Sequence, residues 1–119
     1  MTPTTVLIAD DHPSFRASAR AMLESEGFDV VGEATDGESA LMAVAELDPD
    51  VLLLDVQLPD MTGFDICRAL ERRNGNATKI VLVSSRDRHE YGELIDDSCA
   101  CGFVAKDELT GAAVASLLT

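Results

Sequence analysis

Three stretches of the chain are apolar without interruption: Val6-Leu7-Ile8, Val51-Leu52-Leu53-Leu54 and Ile80-Val81-Leu82-Val83. A shorter run is Phe103-Val104-Ala105, and Phe28-Asp29-Val30-Val31 is mixed. A strand with one wet face alternates apolar and polar residues. The three strong runs do not, which predicts strands of a parallel sheet covered on both faces. Helical spacing fills the gaps. Phe15, Ala19, Met22 and Leu23 recur at i, i+4, i+7 and i+8, with Pro13 where a first helical residue is tolerated and Gly27 where the helix should stop. Ala40, Leu41, Val44 and Ala45 form a second apolar face, behind a Thr35-Asp36-Gly37-Glu38 stretch that reads as a capping box. Ile66, Cys67 and Leu70 predict a third helix, opening near Gly63 and closing before Asn74-Gly75-Asn76. Tyr91, Leu94 and Ile95 predict a fourth, and Leu109, Ala113 and Leu117 a fifth that runs to the chain end.

The order is strand then helix, five times. Right-handed crossovers turn that order into an α/β fold, a doubly wound sheet between two helical layers. No internal repeat, low-complexity tract or linker interrupts it, so residues 1–119 read as a single domain. The fifth helix ends at Leu117-Leu118-Thr119 without surplus residues, which suits a stand-alone domain and the leading half of a longer chain equally.

Composition narrows the function. Of 119 residues, 46% are hydrophobic and 26% charged, as in ordinary globular proteins, and the formal net charge is −13. The apolar runs are far too short to cross a membrane as helices. The opening Met1-Thr2-Pro3-Thr4-Thr5 lacks the basic-then-apolar order of a secretory signal, so the expected compartment is the cytoplasm. Between Ala21 and Cys67 there are acids but no Lys or Arg. A surface of that sign repels phosphate backbones, which argues against direct nucleic-acid binding by this segment. Cys67, Cys99 and Cys101 read as reduced thiols in small apolar positions. A closed zinc site would need four ligands at recognisable spacing, and His12, His89 and the cysteines are scattered.

In doubly wound sheets, ligands bind beyond the carboxyl ends of the strands. The first strand ends in Asp10-Asp11, the third in Asp55, the fourth in Ser84-Ser85, and the fifth is followed by Lys106. Taken singly, each has an ordinary explanation: an Asp as a cap or turn residue, a loop serine, a surface lysine, Gly102 as a turn glycine. Together they describe a site. Clustered carboxylates repel and need a cation, and a hard divalent ion such as Mg2+ suits oxygen ligands. A metal, an ammonium and a hydroxyl around a carboxylate are the parts of a phosphoryl-transfer centre in which the carboxylate is the attacking group.

These residues carry a resemblance. Asp10-Asp11 after Val6-Leu7-Ile8-Ala9, the run Asp55-Val56-Gln57-Leu58-Pro59-Asp60-Met61-Thr62-Gly63, Ser84 after Ile80-Val81-Leu82-Val83, and Gly102-Phe103-Val104-Ala105-Lys106 resemble the receiver domain of two-component response regulators over nearly the whole chain. The opening Ala9-Asp10-Asp11-His12-Pro13 is most similar to the subgroup usually joined to a C-terminal helix-turn-helix. The resemblance implies a flavodoxin-like sheet of order 2-1-3-4-5 with five helices. It implies that Asp55 accepts a phosphoryl group from a sensor histidine kinase in a Mg2+-dependent reaction. Asp11 would be a direct metal ligand, Asp10 would act mostly through metal-bound water, and Asp55 and the main-chain carbonyl of Gln57 would complete the set. Lys106 would pair with the phosphoryl oxygens, Ser84 would hydrogen-bond them, and Phe103 occupies the aromatic switch position. Pro59 and Gly63 would shape the loop after Asp55. Gln57 and Arg86 would border the path of a hydrolysing water, with Arg86 dominating by size and shielding the phosphoryl group. The implied partners are the kinase, a C-terminal DNA-binding effector domain beyond this chain, and a second copy in a homodimer, with no membrane partner.

The chain departs from the family pattern in two places. Asp107, not proline, follows Lys106, so a trans bond is expected. The switch residue is Phe rather than Tyr, which removes a phenolic hydroxyl there. His12 beside the acid pair is expected to be a solvated or capping histidine, since Mg2+ prefers oxygen. No turnover as an enzyme is expected, only self-phosphotransfer and slow autodephosphorylation. Three rival readings fit these residues less well. A haloacid-dehalogenase-type hydrolase needs an acid two residues after the nucleophile, where Gln57 stands. A mononucleotide-binding module would want an anion-binding loop in place of Asp10-Asp11-His12-Pro13. A degenerate receiver, binding partners without phosphorylation, is opposed by the complete set of site residues.

Overall fold

The computed structural model describes residues 2–73 and 77–118; the Asn74-Gly75-Asn76 stop expected for the third helix lies outside them. Five strands, β1 (Thr5–Ala9), β2 (Asp29–Ala34), β3 (Val51–Asp55), β4 (Lys79–Ser84) and β5 (Gly102–Ala105), alternate with helices α1 (Pro13–Ser25), α2 (Gly37–Leu47), α3 (Gly63–Glu71), α4 (Glu93–Asp96) and α5 (Gly111–Leu117). All strand pairs are parallel and the order is β2-β1-β3-β4-β5, as the resemblance implies.

The uninterrupted apolar runs have the reason expected of them. Leu7, Leu52, Leu54, Ile80 and Leu82 point into one layer with Ala40 and Val44 of α2 and Ile66 and Leu70 of α3. Val6, Ile8, Val51, Leu53, Val81 and Val83 point into the other, with Ala19 and Leu23 of α1 and Val114 of α5. Successive side chains of a strand face opposite ways, so a sheet buried on both sides needs apolar residues at every position.

The helix boundaries follow local chemistry. Pro13 is the first residue of α1, and Gly27 takes φ +93 beyond its end, a conformation that costs a glycine little. The capping box of α2 lies one residue later than the pattern suggested. The Asp36 carboxylate accepts from the Ser39 N–H at 2.8 Å and the Ser39 hydroxyl accepts from the Asp36 N–H at 3.3 Å. Thr62 and Asp65 make the equivalent box at the start of α3. Gly102 is not in a turn: it opens β5, and a Cβ there would lie 2.5 Å from the Leu117 side chain.

The fourth helix is far shorter than its apolar spacing suggested. A 3-10 turn, Arg88–Glu90, comes first, Gly92 takes φ +53, and α4 is one turn long. Ile95 alone of this segment is fully buried, Leu94 is exposed, and Tyr91 lies outside the helix. One buried side chain gives little drive to a longer helix, because nucleation must be repaid by packing. In α5 the buried side chain is Val114, while Leu109 precedes the helix, which Thr110 caps through the Ala113 N–H. Among the described residues, no helix is long and apolar enough to cross a membrane.

Candidate functional site

Parallel pairing brings four strand ends to one edge. Ala9 of β1 is level with Leu54 of β3, Asp55 with Val83 of β4, and Ser84 with Ala105 of β5. Asp10, Asp55, Ser84 and Lys106 therefore emerge side by side. An open cavity of about 310 Å³ lies over them, lined by Asp11, His12, Asp55, Gln57, Ser84 and Lys106, among others.

Asp10 is fully buried and Asp55 is 4% exposed. The Lys106 ammonium bridges them, 2.6 Å from Asp10 Oδ2 and 3.3 Å from Asp55 Oδ2. It also stands 4.5 Å over the Phe15 ring of α1, a cation–π contact that helps hold it in place. The contact with Asp10 Oδ2 is a close ion pair. That atom is the one buried side-chain oxygen among the described residues with no hydrogen-bond partner. Its twin, Oδ1, accepts from the His12 N–H at 2.8 Å and lies 2.9 Å from His12 Nδ1.

The two buried carboxyls are displaced in opposite directions. Burial pushes Asp10 upward, but Lys106 and the His12 donors outweigh it and hold Asp10 below its ordinary range. Asp55 is raised, first by burial and then by the Asp10 charge, against which the Gln57 N–H and Lys106 work only in part.

Asp11, with its side chain 36% exposed, stands at the rim. Asp10, Asp11, His12 and Asp55 each offer a ligand atom, and these atoms all lie within 4.8 Å of one another. Three carboxylates with one oxygen lacking a hydrogen bond form a donor set suited to a hard, oxygen-preferring cation. His12 is at the N-cap of α1 but makes no side-chain cap; its ring contacts both Asp10 and Asp11, 3.2 Å from the latter. The Lys106–Asp107 bond is trans, no cis peptide being present among the described residues.

The loop after Asp55 is pinned from several sides. The Gln57 N–H donates to Asp55 Oδ1 at 3.2 Å, and the Gly63 N–H donates to the Val56 carbonyl at 2.7 Å. A Cβ on Gly63 would lie 3.0 Å from the Asp55 carbonyl oxygen, so a larger residue would have to push the start of α3 back from the strand end. Asp60 accepts from the Gly37 and Glu38 N–H groups at 2.7 and 3.0 Å, tying the loop to the start of α2.

This geometry has counterparts. The model for the response regulator receiver domain matches residues 6–116. The chain belongs to the response regulator receiver domain family. It is 40% identical to the nitrate/nitrite response regulator protein NarP of Escherichia coli, over 89% of this chain and 49% of NarP. Identity to the DNA-binding transcriptional activator EvgA of the same organism is 35%, over 86% of this chain and 50% of EvgA. The chain thus spans about half the length of the curated relatives it matches. Among solved structures, the signal receiver domain of the response regulator NarL from Mycobacterium tuberculosis superposes with a TM-score of 0.84 at 32% identity, covering 98% of both chains.

Within this receiver domain, the residues expected at the site differ in how they reach it. Asp11, Asp55, Gln57, Ser84 and Lys106 meet at the cavity, and the fully buried Asp10 joins them through Lys106. Phe103 does not; half-buried on β5, it lines a separate groove with α5. Arg86 is exposed and reaches the site through its main chain, its N–H donating to Ser84 Oγ at 3.1 Å. Two contributors went unrecognised in the sequence. Arg16 donates to the Asp10 carbonyl at 2.8 Å while pairing with Glu33. Tyr91, the chain's single tyrosine, places its hydroxyl 2.7 Å from Ser84 Oγ. Neither contact has a signal in the chain, because both join residues from different elements.

Proposed function

We propose that this receiver domain is a phosphorylation-controlled switch, with Asp55 as the phosphoacceptor and a sensor histidine kinase as donor. The observation that carries this reading is the buried Asp55 carboxylate, incompletely neutralised, at the floor of an open acidic cavity and within reach of a lysine. In the transfer, an Asp55 oxygen bonds to phosphorus as the phosphorus–nitrogen bond of a phosphohistidine breaks, and the bonding pair leaves on the imidazole nitrogen. Asp10, Asp11, Asp55 and the Gln57 carbonyl would hold Mg2+, which when bound neutralises charge on the transferring group. Lys106 supplies a second positive charge at the same place, and the Ser84 hydroxyl a donor for a phosphoryl oxygen. Gln57 and Arg86 tune the lifetime of the phosphorylated state, Gln57 by orienting water and Arg86 by covering its approach. The protein is not a turnover enzyme on this reading.

The cytoplasm is the compartment where such a kinase domain would meet it. The match to half of relatives named as DNA-binding activators and response regulators supports a DNA-binding effector domain following this one, with phosphorylation altering effector or dimer contacts. The test is incubation with a small acyl phosphate, with and without Mg2+, followed by intact-mass measurement. The expected result is one phosphoryl group per chain, dependent on Mg2+ and absent from Asp55→Asn. Acid-labile phosphate in Asp55→Asn would falsify the assignment.

A further inference from the structure

The phenolic hydroxyl missing from the switch position on β5 is present from another direction. Ser84, 4% exposed, closes β4. Its Oγ has two polar neighbours, the Arg86 N–H at 3.1 Å and the Tyr91 hydroxyl at 2.7 Å. Asp55 is not one of them: its carboxylate oxygens are met by the Gln57 N–H and Lys106. The Tyr91 ring is wedged between Phe64 of α3, edge-on at 5.9 Å between centroids, and Phe103 of β5, tilted at 5.9 Å. Tyr91 thus touches the site hydroxyl with one end and the two aromatic walls with its sides.

We propose that Tyr91 is a latch on Ser84: its hydroxyl holds the serine hydroxyl away from Asp55 in the resting protein and must release it when a phosphoryl group arrives. This rests on the phosphorylation reading above and adds the residue through which Ser84 speaks to the surface. A phosphoryl oxygen only accepts hydrogen bonds, so Ser84 must donate to it. A serine has one proton to give, and the Arg86 N–H already occupies one of its acceptor sites. Either hydroxyl can be the donor in this pair; the latched arrangement is the one in which Ser84 donates to Tyr91 and that single proton is committed. Turning it toward Asp55 leaves the tyrosine hydroxyl in a half-buried place without its partner, and an unpaired polar group there favours displacement of the ring.

The surroundings allow such a displacement. Tyr91 sits between the 3-10 turn Arg88–Glu90 and the one-turn α4, immediately before Gly92 at φ +53. Few buried apolar contacts anchor this segment, the condition for low local stability. Its outer residues Asp87, Arg88 and His89 form one wall of the groove that Phe103 and α5 line. Release of Tyr91 would therefore move a surface wall, whereas Phe103 by itself has no polar link to the site. The device is a two-state element that the phosphoryl group biases through one hydrogen bond.

Tyr91→Phe separates the hydroxyl from the ring, because the aromatic packing is retained. The assay is binding of beryllium trifluoride, a phosphoryl analogue, in the presence of Mg2+, to wild type, Tyr91→Phe, Ser84→Ala and the double variant. With the latch removed, Tyr91→Phe should bind the analogue roughly two- to tenfold more tightly, the factor corresponding to the net value of one hydrogen bond. In the Ser84→Ala background the same change should have no effect, since no hydroxyl is left to free. In the ligand-free protein, the Arg86 amide resonance should move in Tyr91→Phe, because its N–H donates to the same serine oxygen. Unchanged or weaker affinity in Tyr91→Phe, or an equal gain in both backgrounds, overturns the latch while leaving the acceptor assignment standing. Wild-type protein that takes up no analogue overturns the switch reading and the latch together.

Discussion

Replacing Asp55 by Asn should make the metal-free protein more stable, although it deletes an ion pair. At an effective dielectric constant of about 20, the Lys106 contact at 3.3 Å contributes roughly 5 kcal/mol of attraction. Against it stands Asp10, whose ligand oxygen lies within 4.8 Å and so repels by roughly 3.5 kcal/mol or more. Asp11 adds a smaller repulsion, reduced by its exposure. Taking a 4%-exposed carboxylate out of water costs several kcal/mol further. In Asp55→Asn the amide can still accept from the Gln57 N–H, and Lys106 keeps Asp10 at 2.6 Å. The balance favours the variant by about 1–3 kcal/mol at neutral pH, a shift of several degrees in Tm for a domain of this size. The sign with pH follows from the raised Asp55 carboxyl. An acid whose folded pKa lies above its unfolded value of about 3.8 destabilises the fold above the folded pKa and ceases to do so as pH falls toward the unfolded one. The advantage of Asp55→Asn should therefore be full at pH 7 and shrink on acidification. Urea denaturation in EDTA at a series of pH values measures it. A variant less stable than wild type, or an advantage constant down to pH 4, would refute the reasoning.

Three further outcomes are expected. Asp11→Ala should abolish measurable Mg2+ binding, and phosphorylation with it, because Asp11 is the rim carboxylate of the cluster; Mg2+ titration followed by NMR checks this, and undiminished affinity rejects it. Glu33→Gln should lower stability by about 0.5–1 kcal/mol, since Glu33 joins Arg16 and Arg20 at 2.9 and 2.8 Å on a solvent-facing surface. Arg20, and then Arg16, holds the Glu33 carboxyl below its ordinary 4.5, so that contribution is present above this value and fades as acid protonates the folded form; denaturation curves that stay coincident with wild type at pH 7 would contradict it. Arg86→Ala should lose its phosphoryl group several-fold faster at fixed Mg2+, as the proposed cover over the water path is removed; an unchanged or slower rate leaves the exposed guanidinium without that role.

What the chain discloses by itself depends on how far apart the cooperating residues lie. The sheet was legible because each strand announces its double burial locally, in runs such as Val51-Leu52-Leu53-Leu54. Once the strands are placed, parallel pairing alone carries Asp10, Asp55, Ser84 and Lys106 to one edge. The start of α2 was nearly legible, misplaced by one residue because Thr35 and Asp36 are both good caps and only the register of the turn chooses between them. The fourth helix misled for a different reason. Tyr91, Leu94 and Ile95 have helical spacing, yet Tyr91 satisfies its hydroxyl on Ser84 and its ring between Phe64 and Phe103, contacts that no periodicity encodes. The same holds for Arg16, whose spacing fits α1 while its guanidinium serves the Asp10 carbonyl. Arg86 shows the limit from the other side: the chain places it two residues after Ser84, but an exposed side chain's direction is set by solvent and neighbours.

The division of labour between the two buried acids follows from the placement of a single ammonium. Lys106 is nearer Asp10 than Asp55, and the Phe15 ring beneath it favours that position. Asp10, with the His12 donors as well, is held below its ordinary range and favours the charged form. Asp55 receives the smaller share of Lys106 and bears the Asp10 field, so it is the more basic of the pair. Basicity and nucleophilicity rise together for one type of group, which on the proposed reading fits Asp55 rather than Asp10 to the acceptor role. A phosphoryl group on Asp55 would carry more negative charge than the carboxylate it replaces, and the cations of the site would then be drawn toward position 55. The resting asymmetry would thus give a phosphoryl group something to reverse, and Ser84, whose Oγ lies 2.7 Å from the Tyr91 hydroxyl, is the neutral donor that the proposed latch would free to follow that charge.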